Sequence, residues 1–468
     1  MSRKQDLLRR HRRSKRIGLV CALAVLVAAG VFIAWWLPLL LAVLGWVAHE
    51  AWFADHLFYS PQQDYRYRFP ADTVQPGFSL VDGVLRCEQA LPEGATLIVA
   101  LKLQCGLMGR FLDPGVELAS GALSDCQTFE RGARGLRYLN LSSFASVIST
   151  EGVRLRGRHC KLAGQPQGWV FEHPDYLAQR VMVVAPHADD AELAAFGLYS
   201  QARESWVVTL TAGEIEAEHY RAMGMPRSEA ARLKGRLRAW DSIAVPRWGG
   251  VPEAHCVNLG YFCLQLPAMR AAPEQPVASR EAELDDTRLF RQFNSFPLPG
   301  DDGVPCWNNL VADLKALILQ ARPQVIVLPH SSLDPHPDHI EARRAVLEAL
   351  QGLEWQPAHL LGYANHLHDN DRWPMGNSHE GIALPPVFEP GAALIPYSAE
   401  LSLAQRRDKA MALGMMHDLQ PPLPLKRRIR RSLQRALAGR RWALEGENEF
   451  FRKTVRQHEL LWRDDASL

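Results

Sequence analysis

Two short apolar runs rich in β-branched residues place the strongest constraint on how this 468-residue chain can fold. Residues 181–185 read VMVVA, and residues 325–328 read VIVL. Runs of this length and composition are typical of strands buried on both faces of a parallel sheet. Strand patterns alternate with helix patterns around them, which predicts a parallel sheet covered by helices. The expected fold class is therefore α/β, with a Rossmann-like, mostly parallel sheet.

A cluster of potential metal ligands directly follows each of these strand patterns. Residues 186–192 read PHADDAE, and residues 336–339 read HPDH. Because ligands bind outside the carboxyl ends of parallel strands, both clusters should contribute to one site. A catalytic zinc ion takes three protein ligands and keeps one position open for water. His187, Asp190 and His339 can supply these three ligands.

The remaining acidic and imidazole groups of the two clusters fit roles in hydrolysis. Asp189 adjoins the ligands, so it can be the general base toward a water molecule whose pKa zinc lowers to about 7. His336 is placed to protonate a leaving group, and Asp338 can hold the imidazole of His336 or His339 in one tautomer. Either cluster alone is also compatible with a turn and a helix cap. The two together favour a metal-dependent hydrolase.

These residues resemble the PIG-L or LmbE-like de-N-acetylases, a family that removes acetyl groups from N-acetylated amino sugars. The resemblance covers roughly residues 180–456 and rests on a His-x-Asp-Asp cluster with a following Glu and on a downstream His-x-Asp-His. It implies that His187, Asp190 and His339 bind zinc. It also implies that Asp189 is the general base and that His336 is the acid or the oxyanion stabiliser.

Other segments match the family less closely. Residues 207–214 resemble its second strand and Thr-x-Gly-Glu loop, and residues 409–420 resemble its late Lys…His-x-x-Gln segment. Ala188 replaces the usual proline without removing a functional group. Arg232 best matches the family's substrate-binding arginine, although Gly235 stands where the family has Glu. The resemblance therefore implies a substrate-binding role for Arg232.

The N-terminal region predicts a membrane anchor. The first sixteen residues contain eight Lys or Arg and one Asp, and residues 17–48 contain no charged side chain. A bilayer core of ~30 Å needs about 20 helical residues, whereas the apolar region of a cleaved secretory signal has about 7 to 15. A basic segment at 1–16 and a transmembrane segment at 17–48 are expected. The positive charge before the helix favours a single-pass protein of a bacterial inner membrane with a periplasmic catalytic domain. A helical hairpin would place that domain in the cytoplasm.

Residues 60–170 differ in pattern from the remainder of the chain. Alternating stretches at 96–103, 136–141 and 153–157 are separated by Gly, Pro and Asp turn signals. Half-buried antiparallel strands fit this pattern best. The expected units are a β-rich, sandwich-like domain at 60–170, with either a glycan-binding or a spacer role, and a deacetylase domain at 178–468.

One basic segment near the C-terminus predicts an amphipathic helix. Residues 425–437 place Leu425, Ile429, Leu433 and Leu437 on one helical face with arginines around it. Such a helix either lies in solvent or contacts anionic lipid head groups or a phosphorylated glycolipid. The formal charge of the whole chain is only +2, which gives no case for nucleic-acid binding.

Taken together, the sequence predicts a membrane-anchored, zinc-dependent amidohydrolase that removes acetate from an N-acetylamino sugar of the GlcNAc or GalNAc type. The anchor favours a substrate within an envelope glycolipid or polysaccharide such as lipopolysaccharide, so this substrate and membrane lipids are the expected partners. Iron or cobalt would accept the same ligands. Two alternatives belong to other classes: a non-catalytic glycan-binding membrane protein, and a zinc hydrolase acting on another amide or on an ester.

Overall fold

The computed structural model of the chain describes residues 3–54, 59–367, 370, 372–389 and 391–464. The fold is mixed α/β, as predicted, with an apolar helix near the N-terminus and three β-sheets. The β-rich part of the chain precedes the large sheet that carries both His/Asp clusters.

Two helices, α1 (Arg3–Phe32) and α2 (Leu37–Ala48), divide the charge-free run that was expected to form one segment. Pro38 lies in the first turn of α2, where its missing N–H is tolerated, and a short π-helical stretch at His49–Phe53 follows. Within the described residues, Arg9–Phe32 is long and apolar enough to cross a membrane, by length and composition alone. A signal sequence passes the same test.

Eight strands follow in the β-rich region, and they form two antiparallel sheets. The strands are β1 (Phe78–Val81), β2 (Val84–Cys87), β3 (Thr96–Cys105), β4 (Gly115–Ser120), β5 (Leu123–Thr128), β6 (Arg134–Asn140), β7 (Val153–Arg158) and β8 (Cys160–Phe171). One sheet has the order β1-β2-β7-β4-β5, and the other has the order β6-β3-β8. The predicted stretches at 96–103, 136–141 and 153–157 fall on β3, β6 and β7.

Strand β3 is buried on both faces near its start, although a half-buried strand was expected. Leu97, Val99 and Leu101 point into the core shared with the five-stranded sheet. Ile98 and Ala100 point to the opposite side and pack in a second apolar cluster, which includes residues of the C-terminal strands. The sheet therefore lies between two layers rather than at the surface.

The large sheet has seven strands in the order β11-β10-β9-β12-β13-β15-β14. These strands are β9 (Arg180–Ala185), β10 (Glu204–Thr211), β11 (Cys256–Tyr261), β12 (Val325–Pro329), β13 (His359–Tyr363), β14 (Ile395–Glu400) and β15 (His458–Arg463). The first five in this spatial order pair in parallel, and β15 pairs antiparallel with both β13 and β14. The two predicted apolar runs are β9 and β12, and both are completely buried along their apolar residues.

Helices cover both faces of this sheet. The helices that follow β9 in the chain are α3 (Asp190–Tyr199), α4 (Glu218–Arg221), α5 (Arg227–Trp248), α6 (Leu266–Ala271), α7 (Arg288–Arg291), α8 (Trp307–Ala321), α9 (Pro337–Leu350), α10 (Leu403–Met415), α11 (Leu425–Ala438) and α12 (Glu449–Thr454). One apolar core packs α3 and α10 against the sheet, and another packs α8 and α9 against its other face.

The strand order creates a crevice beside β9. From β9 the chain continues to β10 and β11 on one side, and it later returns to β12 on the other side. Loops that leave β9 and β12 therefore diverge, which opens a cleft at their carboxyl ends. Both His/Asp clusters lie in these two loops.

Candidate functional site

The candidate site is assembled from the carboxyl ends of four of the five parallel strands. Residues 186–190 follow β9, and residues 330–339 follow β12. Residues 262–264 follow β11, and residues 365–366 follow β13. Helices α3 and α9 begin at Asp190 and Pro337, so each cluster sits at a transition from strand to helix. This arrangement brings together side chains that are far apart in the sequence.

Three potential metal-ligating atoms converge in this cleft. His187 Nδ1 lies 3.1 Å from Asp190 Oδ2, and His339 Nε2 lies 3.2 Å from the same oxygen. The two ring nitrogens are 3.4 Å apart. Asp190 and His339 are almost completely buried. The predicted ligands His187, Asp190 and His339 thus form one compact triangle of atoms.

Neighbouring polar groups occupy the atoms of these residues that face away from the triangle. His187 Nε2 is 3.3 Å from Asp338 Oδ2, and His339 Nδ1 is 2.9 Å from Asp334 Oδ2. Asn365 Nδ2 donates to Asp190 Oδ1 at 2.8 Å. Each imidazole can therefore donate its outer N–H to a carboxylate and direct its other nitrogen into the triangle, as metal-bound histidines usually do.

The geometry and chemistry of the triangle fit a small divalent cation. Zinc–ligand bonds of about 2.0–2.2 Å and tetrahedral angles separate neighbouring ligand atoms by about 3.3–3.5 Å, close to the three distances above. Two imidazoles and one carboxylate are also ligands that zinc prefers. His336, Cys263, Asp338 and His366 lie close enough to form overlapping groups of potential ligands with these residues. The described donors are thus sufficient for a metal site.

Electrostatics favour the ionised carboxylate in this cluster. Burial raises the pKa of Asp190, but the charges of His339 and His187 outweigh burial and hold that pKa well below its usual range. For His339, burial lowers the pKa, and the carboxylates of Asp190 and Asp334 outweigh it and raise the pKa to about 9. A metal ion that binds here must therefore displace protons from the imidazoles.

Asp189 lies beside the triangle and is held by an arginine that sequence reasoning missed. Arg238 Nη2 is 3.2 Å from Asp189 Oδ1, and Arg238 Nη1 donates to Asp418 Oδ2 at 2.7 Å. Burial lowers the pKa of Arg238, but Asp189 and Asp418 outweigh it, so the net shift is upward and the guanidinium stays charged. His417, from the family's late segment, extends this network through a hydrogen bond between its Nδ1 and the Tyr220 hydroxyl at 2.5 Å.

His336 caps α9 and faces the same cleft. Its Nδ1 accepts the backbone N–H of Asp338 at 3.3 Å, so the neutral ring carries its proton on Nε2. Its ring lies 5.0 Å from that of His187 and 5.1 Å from that of His366. Burial, followed by the positive charges of the neighbouring imidazoles, lowers the pKa of His336 to about 4. At neutral pH this residue therefore offers a neutral N–H donor.

The predicted imidazole contact of Asp338 differs in the structure. Asp338 Oδ2 contacts His187 and accepts the backbone N–H of Leu264 at 2.7 Å, whereas the carboxylate that contacts His339 belongs to Asp334. The expected pairing of Asp338 with His336 or His339 is thus replaced by a pairing with His187. The reason is that Asp338 lies in the first turn of α9, which directs its side chain toward the loop after β11.

The hydrogen bonds of Arg232 are to backbone carbonyls and not to the predicted catalytic residues. Arg232 donates to the backbone carbonyls of Ala282 and Glu283, while Arg238, six residues later on α5, reaches Asp189. The absence of Glu at position 235 has a steric reason. A Cβ on Gly235 would lie 2.4 Å from Phe290 Cε1 and 3.0 Å from Glu214 Cβ.

Comparisons with known proteins support part of the sequence analysis. Residues 182–350 match the PIG-L family model, described as GlcNAc-PI de-N-acetylase, and the predicted resemblance to this family is confirmed for that segment. The comparison with curated proteins returned no match. The PIG-L segment includes both His/Asp clusters and supports a hydrolytic, metal-dependent de-N-acetylase.

Two solved structures are similar to this chain at low sequence identity. One is a deacetylase triple mutant involved in teicoplanin biosynthesis, with 17% identity, a TM-score of 0.33, and coverage of 62% of this chain and 100% of that chain. The other is GalB, the 4-carboxy-2-hydroxymuconate hydratase from Pseudomonas putida KT2440, with 15% identity, a TM-score of 0.27, and coverage of 55% and 84%.

Proposed function

We propose that this chain is a zinc-dependent de-N-acetylase that hydrolyses the N-acetyl group of an amino sugar. The PIG-L match supports the reaction class. The observation that carries the metal assignment is the triangle of ligand atoms from His187, Asp190 and His339, with separations of 3.1–3.4 Å. Each of these side chains is also held from outside by Asp338, Asn365 or Asp334.

The proposed substrate is an N-acetylated sugar of an envelope glycolipid or polysaccharide, such as lipopolysaccharide. The helix Arg9–Phe32 supports this proposal, because an enzyme attached to a membrane meets lipid-linked glycans at its surface. We further propose a single-pass anchor in a bacterial inner membrane with the catalytic part in the periplasm. Five neighbouring parallel strands support a Rossmann-like classification of that part.

In the proposed mechanism, the protein's own side chains position the reacting groups and transfer protons. A bound zinc ion would act as a Lewis acid toward the acetyl carbonyl and lower the pKa of water. Asp189 accepts a proton from the attacking water, and Arg238 fixes the orientation of that carboxylate. The water oxygen bonds to the acetyl carbon, the C–N bond breaks, and acetate and a free amine leave.

His336 acts on the leaving side of the reaction. Its Nε2–H can hydrogen-bond to the developing oxyanion or supply a proton to the departing amine. Because the pKa of His336 is about 4 before substrate binds, the ring protonates the amine only after it receives the proton that Asp189 has taken from water, and it is neutral again when the amine leaves. We propose that Asp338 positions His187 and that Arg232 binds the substrate without taking part in the chemistry.

The decisive experiment compares the envelope glycolipids and polysaccharides of four strains by mass spectrometry. One strain carries the wild-type protein, one lacks it, and one carries Asp189→Asn, while Asp408→Asn on the exposed side of α10 is the matched control. We expect one additional acetyl mass on an amino sugar in the null and Asp189→Asn strains alone. No difference among the strains would contradict the proposed substrate.

Purified variants distinguish the proposed general base, Asp189, from the proposed metal ligand, Asp190. Asp189→Asn should keep the metal content of the wild type and lose activity by about 10²–10⁴-fold, the usual contribution of a general base. Asp190→Asn should lose bound metal. An active Asp189→Asn enzyme would exclude the base assignment, and an Asp190→Asn variant with full metal content would exclude the ligand assignment.

A further inference from the structure

A second cavity lies outside the metal cluster and is lined mainly by arginines. Its volume is about 240 Å³, and we call it the arginine cavity. Five arginines line it: Arg158, Arg372, Arg440, Arg441 and Arg452. The carboxylates among its described lining residues are those of Asp113 and Glu380, and Glu449 beside the cavity pairs with Arg452 at 2.7 Å, so five arginines face three carboxylates. The predicted metal ligands and Asp189 are not among these lining residues.

Protein groups hold the inner arginines in place. Arg440 Nε is 3.1 Å from Asp113 Oδ2, and Arg372 Nη2 is 3.5 Å from the same oxygen. Arg452 donates to the carbonyls of Pro374 and Gly376. The positions of these guanidinium groups are therefore fixed before any ligand arrives. A cluster of like charges held in this way favours an anion that offsets their repulsion.

The rim adds donors that can reach such an anion. Arg441 is exposed, and Arg158 Nη2 contacts Thr128 Oγ1 at 3.4 Å. Trp442 also lines the cavity, and its buried indole Nε1 has no hydrogen-bond partner among the described residues. The ring of Trp442 is held under the guanidinium of Arg431, at 4.3 Å. A fixed, unpaired N–H beside arginines is suited to an anionic oxygen.

The arginine cavity adjoins the segment that follows the apolar N-terminal helices. Its lining residue Asp113 lies just after Phe111, whose carbonyl accepts the Trp52 indole N–H at 3.1 Å. Gly439 and the three residues after it line the cavity directly after α11. Helix α11 is itself attached to Glu50, because Arg430 Nε lies 2.5 Å from Glu50 Oε2. The cavity is thus close to the end of the candidate membrane anchor.

Helix α11 presents further features of a membrane surface contact. Leu425 and Ile429 are 71% and 38% exposed on the apolar side of the helix, although Arg427, Arg428 and Arg431 surround them. An exposed apolar row with arginines is typical of helices that lie at the interface of an anionic membrane. This helix leads directly into the arginine cavity.

We propose that the arginine cavity binds the phosphate group of an anionic lipid head group. Guanidinium groups bind phosphate oxygens through paired N–H donors, which a single fixed ammonium cannot match. The volume accommodates a phosphate with part of the group that it esterifies. Free phosphate has the same chemistry, so the experiment must distinguish the two sources. This proposal is independent of the deacetylase reaction.

The test is isothermal titration calorimetry of the full chain in an uncharged detergent. Three probes are titrated: inorganic phosphate, a water-soluble short-chain phosphatidic acid, and the matching short-chain phosphatidylcholine. We expect phosphatidic acid to bind at least tenfold more tightly than inorganic phosphate and phosphatidylcholine to show no saturable binding. Equal binding of inorganic phosphate and phosphatidic acid would support the phosphate site but overturn the lipid as its source.

Variants locate the binding in the arginine cavity. Arg158→Gln and Arg441→Gln should each weaken phosphatidic acid binding at least tenfold, and Trp442→Phe should weaken it while keeping the aromatic ring. Arg156→Gln is the matched control, because Arg156 lies on the same strand as Arg158 and its side chain is 81% exposed. Circular dichroism and gel filtration check that each variant folds. Wild-type affinity in all three cavity variants, or no binding to the wild type, would overturn the proposal.

Discussion

His339 depends on Asp334 for the position of its ring. Asp334 Oδ2 lies 2.9 Å from His339 Nδ1 and also accepts the backbone N–H groups of Asn365 and His366. The carboxylate therefore fixes the ring and makes its other nitrogen a better ligand. We predict that Asp334→Asn lowers metal affinity about 10–100-fold, because an amide carries no negative charge to offer the imidazole.

Competition with a chromogenic chelator measures this change in metal affinity. The exposed Asp408→Asn variant controls for loss of an unrelated carboxylate, and the melting temperature of the metal-free protein reports any general damage to the fold. If Asp334→Asn binds metal as tightly as the wild type, Asp334 does not support His339 as we infer.

At the level of single residues, sequence reasoning found the groups that share a short motif and missed those brought in by folding. His187, Asp190 and His339 directly follow or lie near a strand end, so their meeting could be predicted from sheet geometry. Asp334 offered a weak local signal, since it precedes His339 by five residues. Arg238 offered none, because it lies within α5 and not in a loop at the end of a strand.

Arg238 contacts Asp189, whereas the substrate-binding role of Arg232 stays a prediction. Both lie on α5, but six residues at about 100° per residue turn the helix by about 240°, so their side chains point in different directions. Only packing of α5 on the sheet decides which one reaches the site. The spacing of the two arginines can be read from the sequence, but the rotation of α5 about its own axis cannot.

At the level of elements, two helical glycines differ in what surrounds them. Gly235 in α5 is in contact with Phe290 and Glu214, whereas Gly414 in α10 has no atom within 4 Å of its missing Cβ. We predict that Gly235→Ala destabilises the protein by about 1–3 kcal/mol through overpacking. Gly414→Ala should stabilise it by about 0.5–1 kcal/mol, because alanine restricts the unfolded chain and favours the helix.

Thermal unfolding of the two glycine variants in the same detergent tests this contrast. Each variant is the control for the other, since both add a single methyl group within a helix. A lower melting temperature for Gly235→Ala and a higher one for Gly414→Ala are expected. A stabilised Gly235→Ala variant would mean that α5 can move away from Phe290 at little cost.

Element boundaries were predictable where periodicity was strong. The helix expected at residues 425–437 is confirmed as α11 at Leu425–Ala438, because its leucines repeat with helical spacing. The apolar run at 17–48 carries no such periodicity, and Pro38 was the sequence signal nearest to the break that follows Phe32.

At the level of the whole molecule, one apolar cluster crosses the predicted boundary between the β-rich region and the deacetylase region. Ile98 and Tyr138 of the small sheet pack with Ile395 and Trp462 of the large sheet. The alternating pattern of one strand could not reveal this packing. Alternation predicts which side chains share a face of the sheet, but it does not predict what covers that face. The division into units at 60–170 and 178–468 therefore remains a prediction.

Polar contacts accompany this shared cluster. Asn140 Nδ2 donates to Ser398 Oγ at 2.7 Å, and the Ser398 N–H donates to Thr96 Oγ1 at 3.0 Å. Asp125 Oδ1 accepts the backbone N–H of Gly381 at 2.6 Å. Separating the two regions would expose apolar side chains to water and break these hydrogen bonds between the regions. Both effects oppose independent folding.

We therefore predict that a fragment of residues 178–468 is less stable than one of residues 59–468, although both contain every predicted catalytic residue. The shorter fragment exposes Ile395, Leu460 and Trp462, so it should bind a hydrophobic dye and melt at a lower temperature. Calorimetry of the longer fragment should show one unfolding transition, because the shared cluster couples the two regions. Equal melting temperatures for the fragments, or two separate transitions in the longer one, would mean that the regions are independent domains.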